Sequence, residues 1–320
     1  MASSMIFEYV VYLGVAYKVV LPLVLGMYRK FLRPGKRLRQ YGEWAVVTGA
    51  TDGIGRALAL EFLKQGLKVL LISRTESKLK DVQKEFQATF GDDHVAILAV
   101  DFKNGVDDDK KRKMSEAFAG RDVGILANNV GMSYPFTKYY HELEDADCKD
   151  LIALNLESTM VTTKLVLDGM VAKKRGAIVN TSSAAGTQVS PLLAGYAGVK
   201  GGIVAFSKSL AAEVGPLGVD VQVQTPLFVT TKLAKIKKPS LTVPTPKTYA
   251  RAAVKAIGYD VEVSPYWAHA IQLALVDALP SFVAIGIVSK MHHAIRKKGM
   301  KKEMEKKAQQ AASSDNKKAQ

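Results

Sequence analysis

Six short apolar runs recur along the middle of this chain, each separated from the next by a stretch of helical periodicity. They are "EWAVVTG" (43–49), "KVLLIS" (68–73), "HVAILAVD" (94–101), "VGILANN" (123–129), "GAIVNTS" (176–182) and "VDVQVQTP" (219–226). Between the first two lies "GRALALEFLKQG", whose apolar residues return every three or four positions. Strands that are apolar throughout, rather than at alternate positions, must be covered on both faces. Their regular alternation with helices predicts an α/β fold, a doubly wound parallel sheet in a single domain. With 320 residues, 48% of them hydrophobic, the chain has the apolar material for one large core.

The first strand-to-helix turn carries the first chemical signal. "TGATDGIG" (48–55) sets Gly49, Gly53 and Gly55 where a strand ends and a helix begins, with Thr51, Asp52 and Ile54 between them. Glycines let a backbone approach a pyrophosphate closely, and the helix N-terminus supplies amide donors and a positive dipole end. This turn predicts dinucleotide binding in a Rossmann-type sheet; the bland alternative is a tight turn without a ligand. At the end of the second strand an NAD binder places an acid for the ribose hydroxyls, whereas here Ser73 and Arg74 stand. A guanidinium suits a 2′-phosphate, so NADP(H) is the expected cofactor, unless Arg74 is only a solvated surface charge. Asp101, after the third strand, is placed to accept from the adenine amine or to cap a helix. No metal site is expected.

Two Tyr-x-x-x-Lys pairs follow, "YPFTK" (134–138) and "YAGVK" (196–200), and with twelve tyrosines such a spacing arises by chance. Context separates them. Tyr196 begins a helix just after the strand "GAIVNTS", and thirteen residues ahead of it stands Ser183; the same count back from Tyr134 lands on Arg121. Pro135 also disfavours helix at Tyr134. Only Tyr196 has a partner.

In that order, behind a glycine-rich first turn, these motifs resemble the short-chain dehydrogenase/reductase superfamily. "TGATDGIG", "NNVG" (128–131) with Asn128, Asn155 in "IALNLEST", Ser183, Tyr196 and Lys200 match the family patterns; Val130 stands where the family usually has alanine. The resemblance implies hydride transfer from the nicotinamide to a carbonyl carbon, with a proton delivered to the oxygen. Tyr196 is then the proton donor. A free phenol, pKa about 10, holds its proton tightly, and the ammonium of Lys200, with the positive charge of the oxidised nicotinamide, is expected to lower that value. Ser183 would bind the substrate carbonyl and stabilise developing charge. Lys200 would also hold the nicotinamide ribose, and the main-chain carbonyl of Asn155 would hold a water that reloads the proton. After Pro226, Val229 and Thr230, with Thr231, are candidates to meet the nicotinamide carboxamide.

Longer stretches, "FLRPGKRLRQYGEWAVVTGATDGIG", "DVGILANNVGMSYP", "PLFVTTKLAKIKKPS" and "PYWAHA", look like the microsomal 3-oxoacyl-CoA reductase branch of that superfamily, which also holds 17-beta-hydroxysteroid dehydrogenases; the plant-type enzymes look closest. This implies reduction of very-long-chain 3-oxoacyl-CoA at the endoplasmic reticulum beside a condensing enzyme, a dehydratase and an enoyl reductase. A steroid or other ketone is the alternative substrate, and a non-catalytic NADP-binding scaffold the alternative class. Lys232, Lys235, Lys237 and Lys238 could meet the CoA phosphates or form a solvated run.

The two ends set the organisation. The net charge of +15 is concentrated there: +7 over residues 18–39 and +7 over 290–320, against +2 for 40–289 and −1 from Glu8. That distribution excludes nucleic acid as the expected partner. From Met5 to Tyr28 the chain is apolar apart from Glu8 and Lys18, and six basic residues from Arg29 to Arg39 follow with no acid. The pattern predicts an N-terminal membrane anchor with the remainder in the cytoplasm. Lys18 at mid-span costs about 2.5–3.5 kcal/mol and Pro22 breaks the helix, so an interfacial hairpin is the alternative. Boundaries are expected at 1–40 for the anchor and its basic flank, 41–260 for the catalytic domain, 261–295 for an apolar extension and 296–320 for a basic tail. The extension, broken at Asp277 and Pro280, could cover an acyl chain, pack on the membrane or add to the core. The terminal "KKAQ", with Lys317 and Lys318, resembles an endoplasmic reticulum retrieval signal read from the cytosol. A single cysteine, Cys148, excludes an internal disulfide and suits a reducing compartment. "NTS" (180–182) is a glycosylation sequon within the expected active site, and Asn180 is expected to stay bare.

Overall fold

The computed structural model describes residues 8, 12–14 and 16–318, with nothing to be said of the side chains at 16, 19, 23 and 311–318. It divides into two units, Met1–Lys36 and Arg37–Gln320. In the second, seven parallel strands form one sheet in the order β3-β2-β1-β4-β5-β6-β7. The strands are β1 (Trp44–Thr48), β2 (Lys68–Ser73), β3 (Val95–Ala99), β4 (Val123–Asn128), β5 (Gly176–Thr181), β6 (Val219–Gln224) and β7 (Glu262–Val263). Six lie where the apolar runs predict them. The seventh is a two-residue strand pairing with Val223 and Gln224, too short to carry any periodicity.

Both faces of the sheet are buried, and successive residues of one strand feed opposite cores. Ala45 and Val47 of β1 join a cluster with Val69, Leu71, Ile125 and Ala127 beneath α1 (Gly53–Lys64), α2 (Glu76–Phe90) and α7 (Pro246–Ala256). Val46 joins Leu70, Ile72, Leu126 and Ile178 on the other face, beneath α3 (Asp108–Phe118), α5 (Ser158–Ala172) and α6 (Ala194–Val214). These side chains are almost wholly removed from water, each valine, leucine and isoleucine stabilising the fold by about 1.5–3 kcal/mol relative to exposure. Two-sided burial is why the strands read as unbroken apolar runs. A short helix α4 (Asp145–Leu151) runs into α5 through a π-helical turn at Ile152–Glu157.

Beyond β7 come α8 (Trp267–Asp277) and the long α9 (Ser281–Lys318). The extension is thus two helices meeting at Pro280. Ala268, His269 and His292 are buried, while Ile271, Leu275, Phe282 and Ile287 are exposed. Part of this segment therefore adds to the core, and part presents an apolar face. Lys317 and Lys318 end α9; Ala319 and Gln320 lie outside the described residues.

In the first unit, Ala16–Val20 and Tyr28–Leu32 are π-helical and flank an α-helix at Leu21–Met27. The break expected at Pro22 is instead a change of helix type: proline sits in the first α-helical turn, where a missing N–H is tolerated. Tyr17, Val20, Leu21, Val24 and Leu25 are exposed. Among the described residues no helix is long and apolar enough to cross a membrane. Residues 5–7, 9–11 and 15 of the apolar run read from Met5 lie outside the described residues.

Candidate active site

Strand order reverses between β1 and β4, and in such sheets a crevice opens at the strands' C-terminal ends. The glycine turn lines it. Gly49 has φ +66°, and a Cβ there would lie 3.0 Å from the Val130 Cα. At Gly55 an added Cβ would meet the Gly49 carbonyl oxygen and the Asn129 Nδ2, each at 2.4 Å. Such a cradle, which any side chain would fill, fits a pyrophosphate lying on backbone amides. Asp52 caps α1, its Oδ1 accepting the Gly53 N–H at 2.7 Å, and its Oδ2 pairs with Lys232 at 2.6 Å. Partial burial pushes its carboxyl up, but Lys232 and the Gly53 amide more than offset this and hold it below the ordinary value. The Asp52 carboxylate is therefore occupied locally, whereas Thr51 Oγ1 lies 3.1 Å from Ser73 Oγ and joins the turn to the end of β2. Ile54 packs inward on the core.

Arg74 follows β2, exposed and without a hydrogen bond or ion pair among the described residues, a disposition that fits a 2′-phosphate. Asp101 lies past the end of β3 and accepts the Lys103 N–H at 3.0 Å, closing its own turn. The side chain of Asn128 departs from expectation. It is buried between β4, β5 and α5, donating to Thr163 Oγ1 and Asn180 Oδ1, both at 2.9 Å. The residue whose side chain reaches the glycine turn is Asn129, which donates to the Thr48 carbonyl at 3.2 Å. Strand alternation explains the exchange: Asn128 is the last residue of β4, and its side chain falls on the α5 face. Asn180 of the sequon is fully buried in this same network and donates to Ser207 Oγ at 2.9 Å, where no glycan fits.

Ser183, Tyr196, Lys200 and Asn155 converge at the ends of β4 and β5. The Ser183 side chain hydrogen-bonds the Tyr196 phenol and accepts the Ala185 N–H at 3.2 Å. Lys200 Nζ lies 5.8 Å from the centre of the Tyr196 ring and donates to the Thr181 carbonyl at 3.0 Å. Ser182 Oγ donates to the Lys200 carbonyl at 2.7 Å, fastening α6 to the loop after β5. Asn155 occupies the π-helical turn, its amide donating to the Met132 and Leu151 carbonyls at 3.1 and 2.9 Å. A Cβ on Gly131 would lie 2.8 Å from Asn155 Oδ1 and 3.3 Å from Lys200 Nζ, so these groups share one corner. Tyr134 belongs to the same neighbourhood, its phenol oxygen accepting the Tyr196 N–H at 3.1 Å.

The protein's own electrostatics run the other way. Burial pushes the Tyr196 phenol up, and the Ser183 hydrogen bond only partly offsets it. The protein alone does not acidify this tyrosine, because Lys200 is itself buried and its ammonium disfavoured, its pKa pushed down to about 8. A lysine with a lowered pKa is charged below that value and neutral above it. The ratio kcat/KM reports groups of the free enzyme, so it is expected to fall as pH rises through about 8; a profile flat to about pH 10 would remove Lys200 from the site's charge balance.

The loop after β6 completes the crevice. Val229 is buried, Thr230 N and Oγ1 both bond the Pro244 carbonyl, and Thr231 Cγ2 would touch a Cβ on Gly53 at 3.3 Å. Lys232 is tied to Asp52 and Lys235 Nζ to the Pro135 carbonyl, leaving Lys237 and Lys238 of the lysine run exposed and without such ties. Sequence reasoning missed His269 on α8. Its Nδ1 accepts the Leu227 N–H at 3.3 Å and its Nε2 lies 3.1 Å from the Phe228 carbonyl, so the neutral ring pins the start of this loop. Burial lowers its pKa to about 4. The only trace in the sequence is a histidine amid an apolar run.

The profile of the family described as short chain dehydrogenase matches residues 43–241. A protein of Arabidopsis thaliana named very-long-chain 3-oxoacyl-CoA reductase-like is 43% identical over 266 residues, 81% of this chain and 84% of its own length. A human very-long-chain 3-oxoacyl-CoA reductase is 42% identical over 263 residues, 82% and 83% of the two chains. Among solved structures, a 7beta-hydroxysteroid dehydrogenase superposes with a TM-score of 0.70 at 23% identity, covering 79% of this chain and 99% of its own, a likeness of fold.

Proposed function

Because this chain belongs to the short chain dehydrogenase family and is an NADP(H)-dependent oxidoreductase, we propose that it reduces the 3-oxo group of very-long-chain acyl-CoA to the 3-hydroxy group, with Tyr196 as proton donor. Carbonyl reduction rests on one convergence: the Ser183 hydroxyl acts on the Tyr196 phenol, and the buried amine of Lys200 lies 5.8 Å from the centre of the same ring. The substrate class rests on likeness to proteins named for that reaction over four-fifths of the chain.

Bound NADPH supplies a hydride to the carbonyl carbon. Ser183 donates to the carbonyl oxygen and stabilises the charge that develops on it. The Tyr196 O–H bond breaks, its proton passes to that oxygen, and a phenolate remains. Lys200, in its charged form, stabilises that phenolate. The main-chain oxygen of Asn155, which accepts the Thr159 hydroxyl at 2.8 Å, would hold the water that reprotonates Tyr196. Lys237 and Lys238 serve the CoA phosphates.

The site of action is the cytosolic face of the endoplasmic reticulum membrane, beside the condensing enzyme, dehydratase and enoyl reductase of elongation. The exposed apolar residues from Tyr17 to Leu32, followed by basic ones, support attachment to lipid, and the terminal lysines support retention there. The test is NADPH oxidation by the purified full-length chain with long-chain 3-oxoacyl-CoA and with a ketosteroid. Turnover of the thioester at a kcat/KM at least about tenfold above the ketone supports the proposal. Preference for the ketosteroid would replace the substrate, and turnover of neither would replace the enzyme with a binding scaffold.

A further inference from the structure

Tyr134 lies in the long connection between β4 and α4 and is 8% exposed. Its phenol oxygen accepts the Tyr196 N–H at 3.1 Å and also bonds the Gly195 amide. Both amides belong to the first turn of α6, whose leading N–H groups have no partner within the helix. Leu193, ahead of it, supplies no side-chain cap. The cap comes from sixty-two residues away, and it lands on the backbone of the proposed proton donor.

We infer that Tyr134 is a positioning residue for Tyr196. Its phenol takes the place of an N-cap side chain and sets where the first turn of α6 stands against Ser183. The inference rests on Tyr196 being the acid.

Two features make the contact more than packing. Gly195 leaves the space the phenol needs: a Cβ there would lie 2.7 Å from the Tyr134 oxygen. The loop carrying Tyr134 is held in turn by α9, where Thr137 Oγ1 donates to the His292 carbonyl at 2.7 Å and Arg296 forks Glu142 at 2.5 and 2.6 Å. Phe136 packs against Gly299, whose Cβ would lie 2.3 Å from the ring. The C-terminal helix thus braces the loop whose phenol caps the helix of the proposed acid.

The test uses two single variants and their combination in the full-length chain. Tyr134→Phe keeps the ring in its cluster with Leu151 and Val199 and removes only the acceptor. Gly195→Ala keeps the acceptor but displaces it, while favouring the helix itself. Each is expected to lower kcat by about ten- to a hundredfold, with NADPH affinity within about twofold of the parent. In both variants the loss is expected at temperatures well below Tm, where the folded fraction is unchanged, a result that loss of stability cannot produce. The double variant is expected to lose no more than the worse single one, since both remove one contact. Unchanged kcat in both single variants, or losses that multiply in the double, would overturn the inference. Active Tyr196→Phe protein would instead defeat the proton-donor assignment, so the two failures are distinguishable.

Discussion

Tyr196→Phe is expected to lower kcat by about a hundred- to ten-thousand-fold, the usual contribution of a general acid, while the affinity for NADPH stays within about twofold. The substitution keeps the ring, and with it the packing beside Tyr134, Leu151 and Val199. It removes the proton that the proposed reaction transfers to the substrate oxygen. The lost bond to Ser183 costs about 0.5–1.5 kcal/mol of stability, too little to unfold a domain with two buried cores. Stopped-flow NADPH oxidation, with cofactor affinity read from nicotinamide fluorescence, separates the two quantities. Because burial raises the phenol pKa, the parent's acid keeps its proton across the neutral range. Parental turnover in Tyr196→Phe would remove the tyrosine from the reaction.

The second large effect is expected at Gly55→Ala. The new methyl would lie 2.4 Å from the Gly49 carbonyl and 2.4 Å from Asn129 Nδ2, which is itself bonded to the Thr48 carbonyl. Neither neighbour is the loose end of a flexible side chain, so the turn must move. Overpacking of this kind costs about 1–3 kcal/mol, which, borne by the cofactor-binding conformation, is about 5- to 150-fold in Kd for NADPH. Gly169→Ala in α5 is the control, because nothing lies within 4 Å of its added methyl. Titration of both variants with NADPH decides the matter; equal affinity in the two would mean that the turn is not a cofactor cradle.

Much of this was legible in the residues themselves. The six long strands are visible because each is buried on both faces, and burial on both faces leaves no polar position to interrupt the run. Ser183, Tyr196 and Lys200 are recognisable because a strand and a helix hold them at set spacings, and the folded chain does bring them together. Asn128 shows the limit: two adjacent asparagines are equivalent in a motif, and only the facing of the strand decides that Asn129 meets the glycine turn. The acidifying influence expected of Lys200 likewise depends on burial, which a spacing does not contain.

Local pattern therefore determined the α/β order, since it follows from periodicity, and together with the motif resemblance it pointed to the glycine turn and to the serine, tyrosine and lysine triplet. Tertiary structure decided the rest. That Tyr134 caps the helix of Tyr196, that His269 pins the loop after β6 and that α9 braces the 134–142 loop are contacts between residues far apart in sequence. Such contacts have no fixed spacing, because any chain separation can be closed once two surfaces pack, and so they leave no periodic mark in the sequence.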